Sequence, residues 1–167
     1  MSLDEGLEEF GNIIDELSGL SQDLTTIIEK QTEAVISADE EKIERYTQRY
    51  TELKGDFEAH EKKFARHLRE LLLPAKGGDG EIKLERLKEF WPESKDRIEE
   101  WKTSLDQQLT TLKRKHEKLN SLLAFALNQN ATMMRSLYGL HNQKNSLYGL
   151  SGSKEEISSG MAINKEA

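Results

Sequence analysis

The chain contains no cysteine, which removes disulfides, thiolate metal centres and cysteine nucleophiles from consideration. It has two prolines in 167 residues, and Leu, Glu and Lys abound, so little breaks helices and a mainly β fold is disfavoured. Long apolar runs are missing as well, none approaching the ~20 residues needed to cross a bilayer. The start, Met1-Ser2-Leu3-Asp4-Glu5-Gly6, is acidic and lacks the basic and apolar stretches of a signal peptide, which predicts a soluble, cytoplasmic protein. Hydrophobic residues make up 35% and charged residues 33%, lean for a compact globule and typical of long, solvated amphipathic helices. A chain of this length is expected to form one domain.

The net charge of −7 is unevenly spread. Residues 1–41 hold 12 acids and one base, Lys30, whereas residues 42–167 hold 19 acids and 23 bases. An acidic first segment repels phosphate, and helices packed beside it are expected to supply complementary charge. The short cluster Lys113-Arg114-Lys115 has no aromatic residues set for base stacking, which argues against nucleic acid as a partner.

Hydrophobic spacing predicts an all-α fold. Leu3, Leu7, Phe10, Ile14, Leu17, Ser21, Leu24, Ile28, Gln31 and Val35 alternate in steps of four and three, the 3.5-residue period of a coiled-coil seam, giving a helix over 3–36. Ser37 followed by Glu40 has the spacing of a capping box and opens a second helix over 38–73. Its stripe runs through Ile43, Tyr46, Tyr50, Leu53, Phe57, His60, Phe64, His67 and Leu71. Two helices of ~50 Å joined by so short a turn must lie antiparallel, as a hairpin. Pro74 and the glycines at 77, 78 and 80 mark a loop, followed by a short amphipathic piece over 83–91 with Leu84, Leu87, Phe90 and Trp91 on one side. Pro92 either ends that piece or sits in the first turn of a last helix, where its missing N–H costs nothing, and the second placement is preferred. That helix is expected over 92–138, its stripe running from Ile98, Trp101 and Leu105 through Leu109, Leu112, His116 and Leu119 to Leu123, Ala126, Asn130, Met133 and Leu137. The expected organisation is one three-helix, coiled-coil-like bundle over 1–138 and a flexible tail over 139–167, in which Ser-Leu-Tyr-Gly-Leu occurs at 136–140 and again at 146–150.

A catalytic constellation is not evident. HExxH, GxxxxGK[ST] and GxSxG are all absent, and Gly77-Gly78-Asp79-Gly80 lacks the preceding strand of a nucleotide loop. His60 and His116 fall on inward stripes of different helices and are expected to be able to meet, with Asp56 the one carboxylate placed to join them. No fourth ligand is in view, so hydrogen-bonded structural histidines are favoured over a metal site. Neither an enzyme nor a bound cofactor or metal is expected. The aromatic residues Tyr46, Tyr50, Phe57, Phe64, Trp91 and Trp101 read as core.

The functional signal lies in a surface. Leu122 sits at the edge of the last stripe and Phe125 roughly 140° from its centre, on the side that should be solvated. Leu122, Phe125, Gln129 and Met133 form a ridge, and every residue from Leu122 to Leu127 is apolar. Such a stretch requires cover on more than one side. Either the 83–91 piece or the tail folds over it, or it is a groove for a partner's amphipathic helix, with Phe125, Met133 and Met134 as adaptable contacts. The last helix, at ~70 Å, also outreaches the ~50 Å hairpin.

The chain resembles the FlgN-type flagellar export chaperones. Ala34-Val35-Ile36-Ser37-Ala38-Asp39 followed by Ile43 is similar to that family's turn between its first two helices. Leu119-Asn120-Ser121-Leu122-Leu123 is similar to its last-helix pattern, and Tyr148-Gly149 with Gly152 to the Tyr-Gly-x-x-Gly of its tails. The resemblance implies a cytoplasmic, non-enzymatic chaperone for type III flagellar export, without cofactor or metal. It would bind the helical C-terminal segments of hook-associated (hook–filament junction) proteins, with the export apparatus as a further partner. The implied client-binding residues are Asn120, Leu122, Phe125, Gln129, Met133, Met134, Leu137 and Tyr148. The other reading of the residues is a structural coiled-coil adaptor or spacer acting through oligomerisation; heptad seams serve a monomer and a homodimer equally well.

Overall fold

Residues 3–73 and 81–147 are described by a computed structural model, and every regular element among them is helical. Helix α1 spans Leu3–Ile36 and α2 spans Glu40–Leu72. A 310 turn at Leu84–Arg86 leads into the single-turn α3, Leu87–Phe90, and a second 310 turn at Pro92–Ser94, with Pro92 in its first position, opens α4 at Lys95–Leu147. The chain divides into two units, Met1–Leu119 and Asn120–Ala167. No helix among the described residues is long and apolar enough to cross a membrane.

In the first unit α1 is the central rod. Its predicted seam is buried at Leu7, Phe10, Ile14, Leu17, Ser21, Leu24 and Ile28, and burial extends beyond that seam to Ile13, Ile27 and Ala34. The wider face follows from having two neighbours rather than one, since α1 contacts both α2 and α4. Rings tie the three helices: Phe10 stacks on Phe64 of α2 with centroids 5.1 Å apart and meets Trp101 of α4 edge-on at 6.0 Å. Gly11 makes that approach possible, because a Cβ there would lie 3.0 Å from the Trp101 ring and 2.9 Å from Arg97 Nη2. The Arg97 guanidinium covers the outer side of the same ring at 4.8 Å. Leu87 and Trp91 are fully enclosed in the same cluster, with Leu7, Leu68, Leu72 and Ile98, so the short α3 segment packs into the bundle of the first unit. A second cluster, Leu24, Ile27 and Leu53, lies nearer the hairpin turn, and Phe57 packs against both clusters.

The carboxylates of α1 are met by side chains of its neighbours. Glu9 meets His67 Nε2 at 3.2 Å, Glu16 meets His60 Nε2 at 3.3 Å and Lys63 at 3.5 Å, and Glu29 meets Lys115 at 2.8 Å. His60 therefore faces Glu16, while His116 stacks on Tyr50 with centroids 6.2 Å apart. Among the described residues no group of three His, Cys, Asp or Glu is placed to hold a metal ion.

The turn between α1 and α2 departs from the capping box. Asp39, not Ser37, is the N-cap of α2, its carboxylate accepting from the Lys42 N–H at 3.1 Å. Ser37 instead finishes α1, its hydroxyl donating to the carbonyls of Glu33 and Ala34. The Asp39 N–H bonds to the Ala34 carbonyl and the Ala38 N–H to that of Val35, the paired bonds of a Schellman ending. That ending needs a left-handed residue, and Ala38 fills it at φ 52°. Glycine is the usual occupant, so its signal is missing from the sequence. At the other end, the loss of periodicity predicts that the last helix stops at Tyr138, yet α4 continues through Gly139 to Leu147. One helical glycine costs ~1 kcal/mol relative to Ala, which good turns on either side can offset.

Two substitutions should move the melting temperature in opposite directions. Ala38→Gly relieves the left-handed alanine and should stabilise by roughly 0.5–1 kcal/mol. Gly11→Leu forces a side chain against Trp101 and should destabilise by about 1–3 kcal/mol. Thermal unfolding followed by circular dichroism checks both, and equal signs would contradict the assigned packing.

Donation from the Lys42 backbone N–H, with Lys42's side chain close by, holds the Asp39 carboxyl below its ordinary value of 3.8. A depressed acid stabilises fully above its unfolded value and loses that contribution as pH falls through the folded one. Asp39→Asn keeps a cap at every pH, so any melting advantage of the natural protein at pH 7 should vanish when both are melted near pH 2–3.

Candidate functional site

The second unit holds an apolar surface on the α4 residues from Asn120 onward. Leu119, the last residue of the first unit, is 6% exposed; Phe125 is 61% exposed, Leu127 70% and Met133 63%. Met134, Leu137, Tyr138 and Leu140 are exposed as well, whereas Leu122, Ala126 and Ala131 are half-buried. The stripe predicted to be core along the whole last helix is thus enclosed at Ile98, Trp101, Leu105 and Leu119, and exposed at Leu109, Leu123, Asn130, Met133 and Leu137.

At about 100° per residue, Leu122, Met133, Leu137, Leu123, Met134 and Leu127 fall within a sector of roughly 140°. Phe125 stands apart, about 60° beyond Leu122, among Ser121, Thr132, Ser136 and Gln129. Of the residues expected to bind a partner, Phe125, Gln129, Met133, Met134 and Leu137 are exposed together with Asn120, and Leu122 borders them half-buried. Tyr148 lies outside the described residues. The apolar run from Leu122 to Leu127 already marked Leu123 and Leu127 as needing cover, though neither was named as a binding residue; Tyr138 and Leu140 were given no place at the site. Helix continuing past Gly139 is what adds Leu140 to the face.

The polar residues on this helix are of one kind. No acid occurs between Glu117 and Glu155, and Arg135 and Lys144 are the charged residues between Lys118 and Lys154. The positions between the apolar residues carry amides and hydroxyls: Asn120, Asn128, Gln129, Asn130, Thr132 and Ser136. The hydroxyls of Thr132 and Ser136 donate to the backbone carbonyls of Asn128 and Thr132 at 3.0 and 3.1 Å. This face offers apolar area together with amide side chains that can both donate and accept.

The first unit has a concavity of its own, a cleft of about 390 Å³ lined by Leu17, Phe57, Phe64, Leu84, Leu105 and Leu109. Its mouth carries the Lys102–Glu85 ion pair, which lowers the Glu85 carboxyl below its usual range by hydrogen bonding to the Lys102 ammonium.

No curated protein and no solved structure matches the chain. A family model described as FlgN protein matches residues 1–156, nearly the whole length and spanning both helical units. With that match, the chain belongs to the FlgN family, a family of flagellar export chaperones.

Proposed function

We propose that this protein is a cytoplasmic export chaperone that holds the helical C-terminal segments of hook-associated proteins of the hook–filament junction. It keeps them from assembling before type III secretion. The observation that carries the reading is the exposure of Phe125, 61%, within a run of apolar residues on a described helix. A soluble helix does not sustain such a face without an occupant for part of its working life.

The mechanism is helix-in-groove capture. A client terminus, unfolded before it binds, lays its apolar stripe along Leu122, Phe125, Met133, Met134 and Leu137, with Asn120, Gln129 and Tyr148 at the margins. Methionines suit this work, since their unbranched side chains repack around different partners. Burying about 600 Å² of apolar area contributes ~15 kcal/mol gross at ~25 cal/mol/Å². Ordering and association offset most of it, leaving micromolar to nanomolar binding, the range a releasable chaperone needs. No catalytic step is required, so the role is one of binding alone.

Phe125→Asp should abolish binding to such segments in isothermal titration, weakening it more than tenfold, while the melting midpoint shifts by less than about 2 °C, as for a surface substitution. Unfolding of the variant, with full affinity in the molecules that remain folded, would place Phe125 in a core and refute the reading.

A further inference from the structure

We infer that the cleft of the first unit is a binding site in its own right, made of other residues than the exposed face of α4. It takes a peptide segment of a partner protein that inserts a large apolar side chain and carries a Lys or Arg on each side of it. The inference goes beyond the capture reading and does not depend on it.

The cleft lies over Leu17 of α1, between one face of α2 and one face of α4. At successive turns α2 presents Phe57, Glu61 and Phe64, and α4 presents Leu105, Asp106 and Leu109. Leu84 and Glu85 close one end; Glu85 is held by Lys102, and the segment behind it is anchored by the buried Leu87 and Trp91. Towards the other end Phe57 of α2 and Leu112 of α4 pack against the same cluster, so both walls join one core there. A space of about 390 Å³ bounded in this way receives side chains and not the length of a helix. Its walls are fixed without an occupant, because Ser18 Oγ donates to Gln108 Oε1 at 2.8 Å and ties α4 to α1 beside Leu109. A preformed site of this kind saves its ligand the cost of ordering it.

Charge decides what the ligand carries. Two lysines and three carboxylates line the cleft, and both lysines are engaged within the chain, Lys83 with Glu81 and Lys102 with Glu85. Glu61 and Asp106 make no ion pair among the described residues, although Asp106 lies one turn from the engaged Lys102. Both stand exposed, on opposite walls, and Leu109 beside them is 44% exposed. An acidic segment would bring its charges against two unpaired carboxylates, and a wholly apolar one would strip water from them without replacing it. A Lys or Arg next to the apolar anchor meets them instead. Carboxylates on both walls match a chain that crosses the cleft from one to the other, with a base before its anchor and a base after it.

The test uses the full-length chain with isotope-labelled leucine methyl groups and two peptides of about ten residues, each with Phe and Leu at its centre. One is flanked on both sides by Arg, the other by Glu. The Arg-flanked probe should bind with a dissociation constant below about 1 mM and shift the methyl signals of Leu17, Leu84, Leu105 and Leu109, leaving those of Leu123, Leu127 and Leu137 in place. The Glu-flanked probe should bind at least about tenfold more weakly. Glu61→Gln combined with Asp106→Asn, both exposed and neutral to the fold, should bring the two probes within about threefold of each other. Equal affinity of the natural protein for both probes, or a preference that survives the double substitution, overturns the inference. So does an Arg-flanked probe that fails to bind, or one whose shifts are confined to methyls beyond Asn120. Sedimentation that finds a dimer converted to monomer by Leu109→Asp assigns the cleft to a second copy and overturns it equally.

Discussion

Three rings hold the first unit in place. Phe10, Phe64 and Trp101 come from α1, α2 and α4, and their contacts at 5.1 and 6.0 Å set how closely those helices pack and in which register. The arrangement exists because Gly11 leaves room on α1 for an indole to lie against the backbone. Around this point the carboxylates of α1 are met from both sides, by His60, Lys63 and His67 of α2 and by Lys115 of α4. Exposed pairs of this sort contribute little each, commonly below about 1 kcal/mol, so they choose partners and register while the apolar cluster supplies the stability.

Division of labour along α4 follows from that design. Its first half is committed to the bundle by Ile98, Trp101, Leu105 and Leu119. From Asn120 the same helix carries residues equally apolar and leaves them exposed. Both halves share a backbone and a helical period; what differs is the polar company.

Much of the architecture was legible from spacing alone. The 3.5-residue period fixes α1 at Leu3–Ile36, and the place of Pro92 in an opening turn follows from its missing N–H. The turn at Ser37–Asp39 was not legible, because Ala38 occupies a left-handed position that sequence rules reserve for glycine. Nor was the end of α4, since Gly139 weakens a helix without ending it. At the candidate site Phe125 betrayed itself by standing off the stripe. Met133 and Leu137 were placed on the core stripe as well, for periodicity reports which residues share a face and is silent on whether anything lies against it.

One residue near the middle of α1 divides the interior. Ser21 is buried between the Leu17 end of one apolar cluster and the Leu24 start of the other, and its hydroxyl has no hydrogen-bond partner. Close by, Ser18 Oγ donates to Gln108 Oε1 at 2.8 Å, so the polar gap is continuous with a contact to α4. An interior parted in this way resembles two short zippers on one rod, with Phe57 as the tooth they share. Burying the Ser21 hydroxyl without a partner costs on the order of 1–3 kcal/mol, so the seam of α1 is at its weakest where the two zippers adjoin.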